Sequence, residues 1–317
     1  MNKHKDLFDL VKVRVFPEKN YRAIWHNLKT IRLGEGVAEE LEPEYSEFYD
    51  VSIGTRCNAE CPFCYVSASR GGIDYPDICE TWKKWMDTFP KDEVIMGTSK
   101  GEVIKTYKPF QIALGSTGEP TLNSQFCEFL KTVYESGVVP NYTTNGIILS
   151  DESSALARKI LDATSKYCGG VAVSYGNPLL RERAEKAIRN LLTLADVKVN
   201  VHHIISDKKS VDEFLEFRNK YDGMIYYHVL LPLMPSGRSK KGLEDGVWEY
   251  LEEKISNLDR KDISFGAHFI KYLETSSKIK TWLYPAESLS KNILLKKDKV
   301  VITPSSFNLK PIKVINL

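Results

Sequence analysis

Three cysteines stand within eight residues, in the run Cys57-Asn58-Ala59-Glu60-Cys61-Pro62-Phe63-Cys64-Tyr65. Thiolates are soft ligands that suit zinc or iron–sulfur clusters, and three of them on one short loop can point at one centre. A structural zinc site is closed and tetrahedral, usually with four protein ligands in paired short spacings. The chain has no second Cys-x-x-Cys pair, so a zinc reading must borrow a fourth ligand, Cys79 or a histidine. A cubane held at three corners leaves one iron open, and open coordination is what a catalytic metal needs. A third reading is a redox sensor whose clustered thiols form disulfides.

The elements that must position this loop are legible around it. From residue 49 onward, short β-rich runs alternate with amphipathic stretches about six times, the pattern of βα units and a parallel sheet. The expected strands are Tyr49 to Gly54, Gln111 to Leu114, Asn141 to Thr144, Gly170 to Tyr175, Lys198 to Ile205 and Met224 to Leu231. Helical stripes lie between them, such as Ile78, Trp82, Trp85, Met86 and Phe89, which read as core. This predicts an α/β fold, a partial (β/α)6 TIM-like barrel, in which chemistry sits at the C-terminal ends of the strands. The cysteine loop follows the first strand and meets that rule. Residues 1–48 read as a lead-in of short irregular elements, 49–240 as the core, and 241–317 as the completion of the barrel. That last part includes a hairpin from Ile293 to Ile302 that turns near Asp298.

The C-x-x-x-C-x-x-C spacing followed by an aromatic residue resembles the signature of the radical S-adenosylmethionine (radical SAM) superfamily. The resemblance implies that Cys57, Cys61 and Cys64 ligate three irons of a 4Fe–4S cluster whose fourth iron chelates S-adenosylmethionine, with Tyr65 near the adenine. It implies a Gly-Gly-Glu element after the second strand that holds the amino group of S-adenosylmethionine. Gly118 and Glu119 match its second and third positions, and Thr117 replaces the first glycine. The run Thr144-Asn145-Gly146 at the end of the third strand and Ser174 at the end of the fourth also match places where the family contacts this cofactor. An external electron donor of flavodoxin or ferredoxin type is implied. No cysteine lies beyond Cys168, so the resemblance is to single-cluster members. The substrate is not identified by any residue.

In the fifth strand, Asn200 and His202 alternate with apolar neighbours and are expected to face the barrel lumen near cofactor or substrate, and His228 on the sixth strand likewise. Arg238, after Pro235-Ser236-Gly237, has the guanidinium to bind a carboxylate or phosphate, although its ordinary role would be that of a solvated loop charge. The net charge of +2 gives no general pull toward nucleic acid or anionic membranes. No apolar run is long enough to span a bilayer, and the polar start, Met1 to Asp6, lacks the apolar core of a signal peptide. The expectation is a cytoplasmic enzyme with no membrane or nucleic-acid partner.

Overall fold

The computed structural model describes Leu7 and residues 10–33, 45–98, 101–259, 261–279 and 290–317. Its strands are β1 (Val11–Phe16), β2 (Tyr21–His26), β3 (Lys29–Leu33), β4 (Phe48–Ser52), β5 (Glu93–Thr98), β6 (Gly101–Lys105), β7 (Gln111–Leu114), β8 (Val139–Thr144), β9 (Gly170–Ser174), β10 (Lys198–Ile205), β11 (Tyr227–Pro232), β12 (Ile263–Phe265), β13 (Ser290–Lys296), β14 (Lys299–Thr303) and β15 (Lys313–Asn316). Ten of them form one sheet in the order β12-β11-β10-β9-β8-β7-β4-β13-β14-β15. From β12 through β13 every neighbouring pair is parallel, and the last two pairs are antiparallel. The expected hairpin is β13–β14, and β13 lies alongside β4.

The sheet is curled. His268 follows β12 and Phe307 follows β14, eight strand spacings away in the sheet order. Eight spacings are roughly 38 Å in a flat sheet, more than the seven loop residues carrying these rings span at about 3.5 Å each. The two rings are nevertheless 4.5 Å apart. A curled, open parallel sheet is the expected partial barrel.

Period-2 alternation assigns the two faces. Tyr49, Val51, Ile112, Leu114, Tyr142, Val171, Val173, Val199 and Val201 share one core cluster with the helical residues Ile78, Trp82, Trp85 and Ile188. The opposite parity faces the lumen: Asp50 on β4, Asn141 and Thr143 on β8, Ser174 on β9, Asn200 and His202 on β10. Register sets Ser174 beside His202, and His202 beside Val229.

His228 has the other parity. It lies on the helix-facing side, against Phe214 and Phe217, with its Nδ1 3.1 Å from His203 Nε2. The lumen expectation fails for it because an aromatic pocket between sheet and helix accommodates two neutral imidazoles. Burial pushes the His203 pKa well below its ordinary value, with His228, His202 and Arg181 adding to the drop. Burial likewise lowers His228 to about 4, against the pull of Asp262. An unfolded histidine takes its proton near pH 6.5, so the pair contributes stability above that pH, and the contribution is lost as pH falls toward the folded values. Thermal melts from pH 7.5 to 5 are expected to show a midpoint that falls less steeply in His203→Leu than in the parent chain. Equal slopes would contradict this account.

The lead-in is not irregular. β1, β2 and β3 join β5 and β6 in a second sheet of order β3-β2-β1-β6-β5. Tyr21, Ala23 and Trp25 bury one face of it against Phe110 and Val139, at the N-terminal ends of β7 and β8. Lys12 crosses that seam fully buried. Its Nζ donates to Phe110 O (2.8 Å) and Gly137 O (2.7 Å) and lies 4.7 Å over the Trp25 ring, while burial lowers its pKa to about 7. Arg14, also buried, donates to the carbonyls of Thr106, Tyr45 and Lys108. The small sheet therefore floors the barrel at the end remote from the cysteine loop.

Candidate functional site

The chain leaves β4 and folds back on itself, so that residues 69–75 brace the cysteine run. Thr55 N donates to Ile73 O (2.7 Å), Cys57 N to Ser69 O (2.8 Å) and Tyr75 N to Ile53 O (3.0 Å). Arg56 bridges Asp74 and Leu122 O, both at 2.5 Å. A second brace comes from the loop after β11. Arg238 donates its backbone N–H to Cys64 O (3.0 Å), Nε to Cys61 O (2.7 Å) and an Nη to Ala68 O (2.8 Å). Gly237 sits at φ +61, and a Cβ on it would run into Cys64 O. Arg238 is therefore not a solvated charge: its backbone N–H, Nε and Nη1 clamp the loop, while Nη2 is buried without a hydrogen-bond partner among the described residues.

The three thiols are free and half-buried. They lie within charge range of one another. Burial pushes Cys57 and Cys61 above the ordinary thiol pKa, and neighbouring cysteines add to the rise. Asn145 Nδ2 donates to Cys57 Sγ (3.8 Å) and Asn177 Nδ2 to Cys61 Sγ (3.3 Å), and such bonds favour the thiolate. Cys79, the fourth ligand a zinc site would borrow, is buried in the core cluster beside Ile78 and Trp82. A polynuclear cluster spreads its thiolates over separate irons. Three free cysteines on a doubly braced loop, two of them already accepting N–H bonds, fit that group better than one zinc.

Beside the loop, the turn after β7 approaches residues 54–56, just beyond β4. A Cβ on Gly118 would lie 2.7 Å from Arg56 O, and Glu119 N donates to the same oxygen at 2.8 Å. Thr117 is buried and donates its hydroxyl to Gly54 O (2.8 Å), which gives the departure from a glycine a structural use. Glu119 is 6% exposed. Its Oε1 accepts from the Thr121 hydroxyl (2.6 Å), Thr121 N (3.3 Å) and the Thr144 hydroxyl (2.9 Å), and its Oε2 from Asn145 N (2.8 Å). Burial raises its pKa, and these donors hold the charged form against that rise. Asn145 continues the chain of contacts, its Nδ2 donating to Asn58 Oδ1 (2.8 Å) and, in its own right, to Cys57 Sγ.

Across the lumen, Ser174 and His202 are register neighbours, and burial holds the His202 imidazole neutral with a pKa of about 4. Asn200, two residues below, buries an Oδ1 with no hydrogen-bond partner. Tyr65 is held at its own end of the loop. Its hydroxyl donates to Ser116 O (2.7 Å) and its ring stacks on Phe307 at 4.2 Å. The loop aromatic over the ends of β9 and β10 is Phe63, whose Cζ would lie 3.3 Å from a Cβ on Gly176. Sequence reading missed Phe63, Asn177 and the clamp role of Arg238. The one available signal was Asn177-Pro178, a polar turn after a strand that parallels Asn145-Gly146.

No protein-family model and no curated protein matches the sequence. Among solved structures the chain is similar to Streptococcus suis SuiB bound to S-adenosylmethionine, at 14% identity and a TM-score of 0.56, over 82% of this chain and 60% of SuiB. The similarity to SuiB bound to the precursor peptide SuiA has the same identity and TM-score, over 83% and 60%. Hexahistidine-tagged anSMEcpe with bound AdoMet is similar at 14% identity and a TM-score of 0.54, over 82% of this chain and 74% of that one. The chain thus spans three fifths of the length of SuiB. It shares its fold with these structures, two of which hold S-adenosylmethionine.

Proposed function

We propose that this chain is a radical S-adenosylmethionine enzyme that holds a 4Fe–4S cluster on Cys57, Cys61 and Cys64 and draws a hydrogen atom from a substrate in the barrel lumen. The observation that carries this reading is the three-thiol loop, pinned at the C-terminal end of the first barrel strand with Glu119 and Asn145 bonded to each other beside it. When bound, the cluster supplies the one-electron reduction of the sulfonium that yields methionine and a 5′-deoxyadenosyl radical.

The protein's own part is to bind, orient and enclose. Glu119 Oε2 accepts one protein donor and so has acceptor capacity left for an ammonium. The backbone of Gly118 lets the turn close on residues 54–56. Ser174 and the neutral His202 offer a hydroxyl and a ring nitrogen to sugar hydroxyls. Lower in the lumen, Asp50 has no hydrogen-bond or ion partner among the described residues, and burial raises its pKa to about 7. Lys198, on the same face, is held by Asn27 (2.8 Å) and lies over Tyr226. Unpaired buried acceptors are costly, so the buried part of the substrate should carry hydrogen-bond donors. A flavodoxin or ferredoxin is the proposed electron source. None of the described helices is long and apolar enough to cross a membrane, and we place the enzyme in the cytoplasm.

Anaerobic incubation of the iron-loaded chain with S-adenosylmethionine and dithionite is expected to release 5′-deoxyadenosine, measured by chromatography. A fully loaded chain that releases none would contradict the proposal.

A further inference from the structure

Two buried asparagines occupy matching places at the barrel mouth. Asn145 directly follows β8, and Asn177 lies three residues beyond β9. Each accepts, on its side-chain oxygen, the backbone N–H two residues on: Ile147 N at 2.9 Å and Leu179 N at 3.1 Å. That bond fixes the orientation of the amide, because the flipped form would set N–H against N–H. The NH2 group is thereby aimed away from the turn, and in both cases it meets a cysteine sulfur, at 3.8 Å for Asn145 and 3.3 Å for Asn177. The two residues are 8% and 7% exposed, so these bonds act where the local dielectric is low. Cys64 Sγ accepts no side-chain bond among the described residues.

We infer that Asn177, and Asn145 to a lesser degree, raise the reduction potential of a cluster held on this loop by donating N–H to the coordinating sulfurs. The inference rests on the iron–sulfur reading above. Reduction adds an electron to a unit whose sulfurs already carry negative charge. A donor aimed at a sulfur therefore stabilises the reduced form more than the oxidised one, and outer partners of this kind tune such centres. Asn177 has the shorter contact and gives it whole. Asn145 shares its NH2 group with Asn58 Oδ1 at 2.8 Å. Both are positioning residues, since they touch a ligand atom and not the substrate.

Asn177→Asp separates the two jobs of this side chain. It keeps shape and an acceptor for Leu179 N–H, and replaces the donor with an oxygen. Asn177→Ser also keeps a cap oxygen but is too short to reach the sulfur, and it adds no charge. The full chain, reconstituted anaerobically, would be assayed for iron and then titrated redox-wise with the reduced cluster followed by electron paramagnetic resonance. The expected result is parental iron content with a lower midpoint in both variants. For Asn177→Asp the shift should reach at least tenfold in the reduction equilibrium, about 59 mV for one electron, with a smaller drop for Asn145→Asp. Parental midpoints in both iron-loaded Asn177 variants would overturn this inference and leave the enzyme reading intact. A parent chain that takes up no iron would overturn both.

Discussion

Cys61→Ala is expected to leave a folded chain that neither retains an iron–sulfur centre nor releases 5′-deoxyadenosine. Losses should exceed the ~100-fold ceiling of changes to outer partners of a metal ligand. Cys61 is the most informative of the three ligands. Its sulfur accepts from Asn177, and its carbonyl accepts from the Arg238 clamp. The substitution deletes the sulfur and spares the carbonyl, so the clamp and the β4 brace persist. The side chain is half-buried on a loop, outside every core cluster, so thermal midpoints of the metal-free parent and variant should agree closely. Iron content, product release and a metal-free melt together separate a ligand from a structural thiol. A variant that loads iron and releases product at the parental rate would remove Cys61 from the site.

Glu119→Gln carries the second large effect, and it should appear even without metal. The carboxylate accepts a backbone N–H on each oxygen, Thr121 N on Oε1 and Asn145 N on Oε2. The threonine hydroxyls can rotate to meet an amide; a backbone N–H cannot. Whichever way the Gln side chain points, its NH2 group faces one of them, and a buried donor left unpaired costs about 1–3 kcal/mol. Urea denaturation of the metal-free chain should therefore show a loss of about 2 kcal/mol. In the loaded chain, loss of a charge-assisted bond to the substrate ammonium should weaken S-adenosylmethionine binding by about 2 kcal/mol, roughly thirtyfold. Calorimetry would measure it. Reduced stability with unchanged affinity would make Glu119 a strut between β7 and β8 and no more.

The barrel was legible because its signals are local. Each βα unit carries its own strand, turn and amphipathic helix, and a parallel sheet needs little else to be recognised. The loop chemistry was legible for a similar reason: three cysteines and a Gly118-Glu119 turn announce themselves by type and spacing. What escaped depends on distant partners. In Val11-Lys12-Val13-Arg14-Val15 the alternation suggests valine inside and charge outside, yet Lys12 and Arg14 are the buried residues. They are tolerated there because Lys12 finds carbonyls at residues 110 and 137, and Arg14 at 45, 106 and 108. No window of sequence contains those acceptors. The second sheet was hidden likewise, since β5 and β6 reach it from some sixty residues downstream of β3.

The lumen assignment shows the same limit on a smaller scale. Alternation placed His202 inward correctly, and His228 failed because its partner, His203, sits on the neighbouring strand within an aromatic pocket. Asn177 reads in sequence as turn chemistry, and it does cap Leu179. Its second hydrogen bond, to a sulfur more than a hundred residues away in the chain, exists only once the sheet has curled and brought the two loops together.

The central claim is that this loop holds iron and not zinc. Iron, zinc and acid-labile sulfide should be counted per chain after anaerobic purification and reconstitution. The account predicts about four irons with matching sulfide and no stoichiometric zinc. About one zinc with no bound iron would contradict it and leave a zinc-binding α/β protein in place of a radical enzyme.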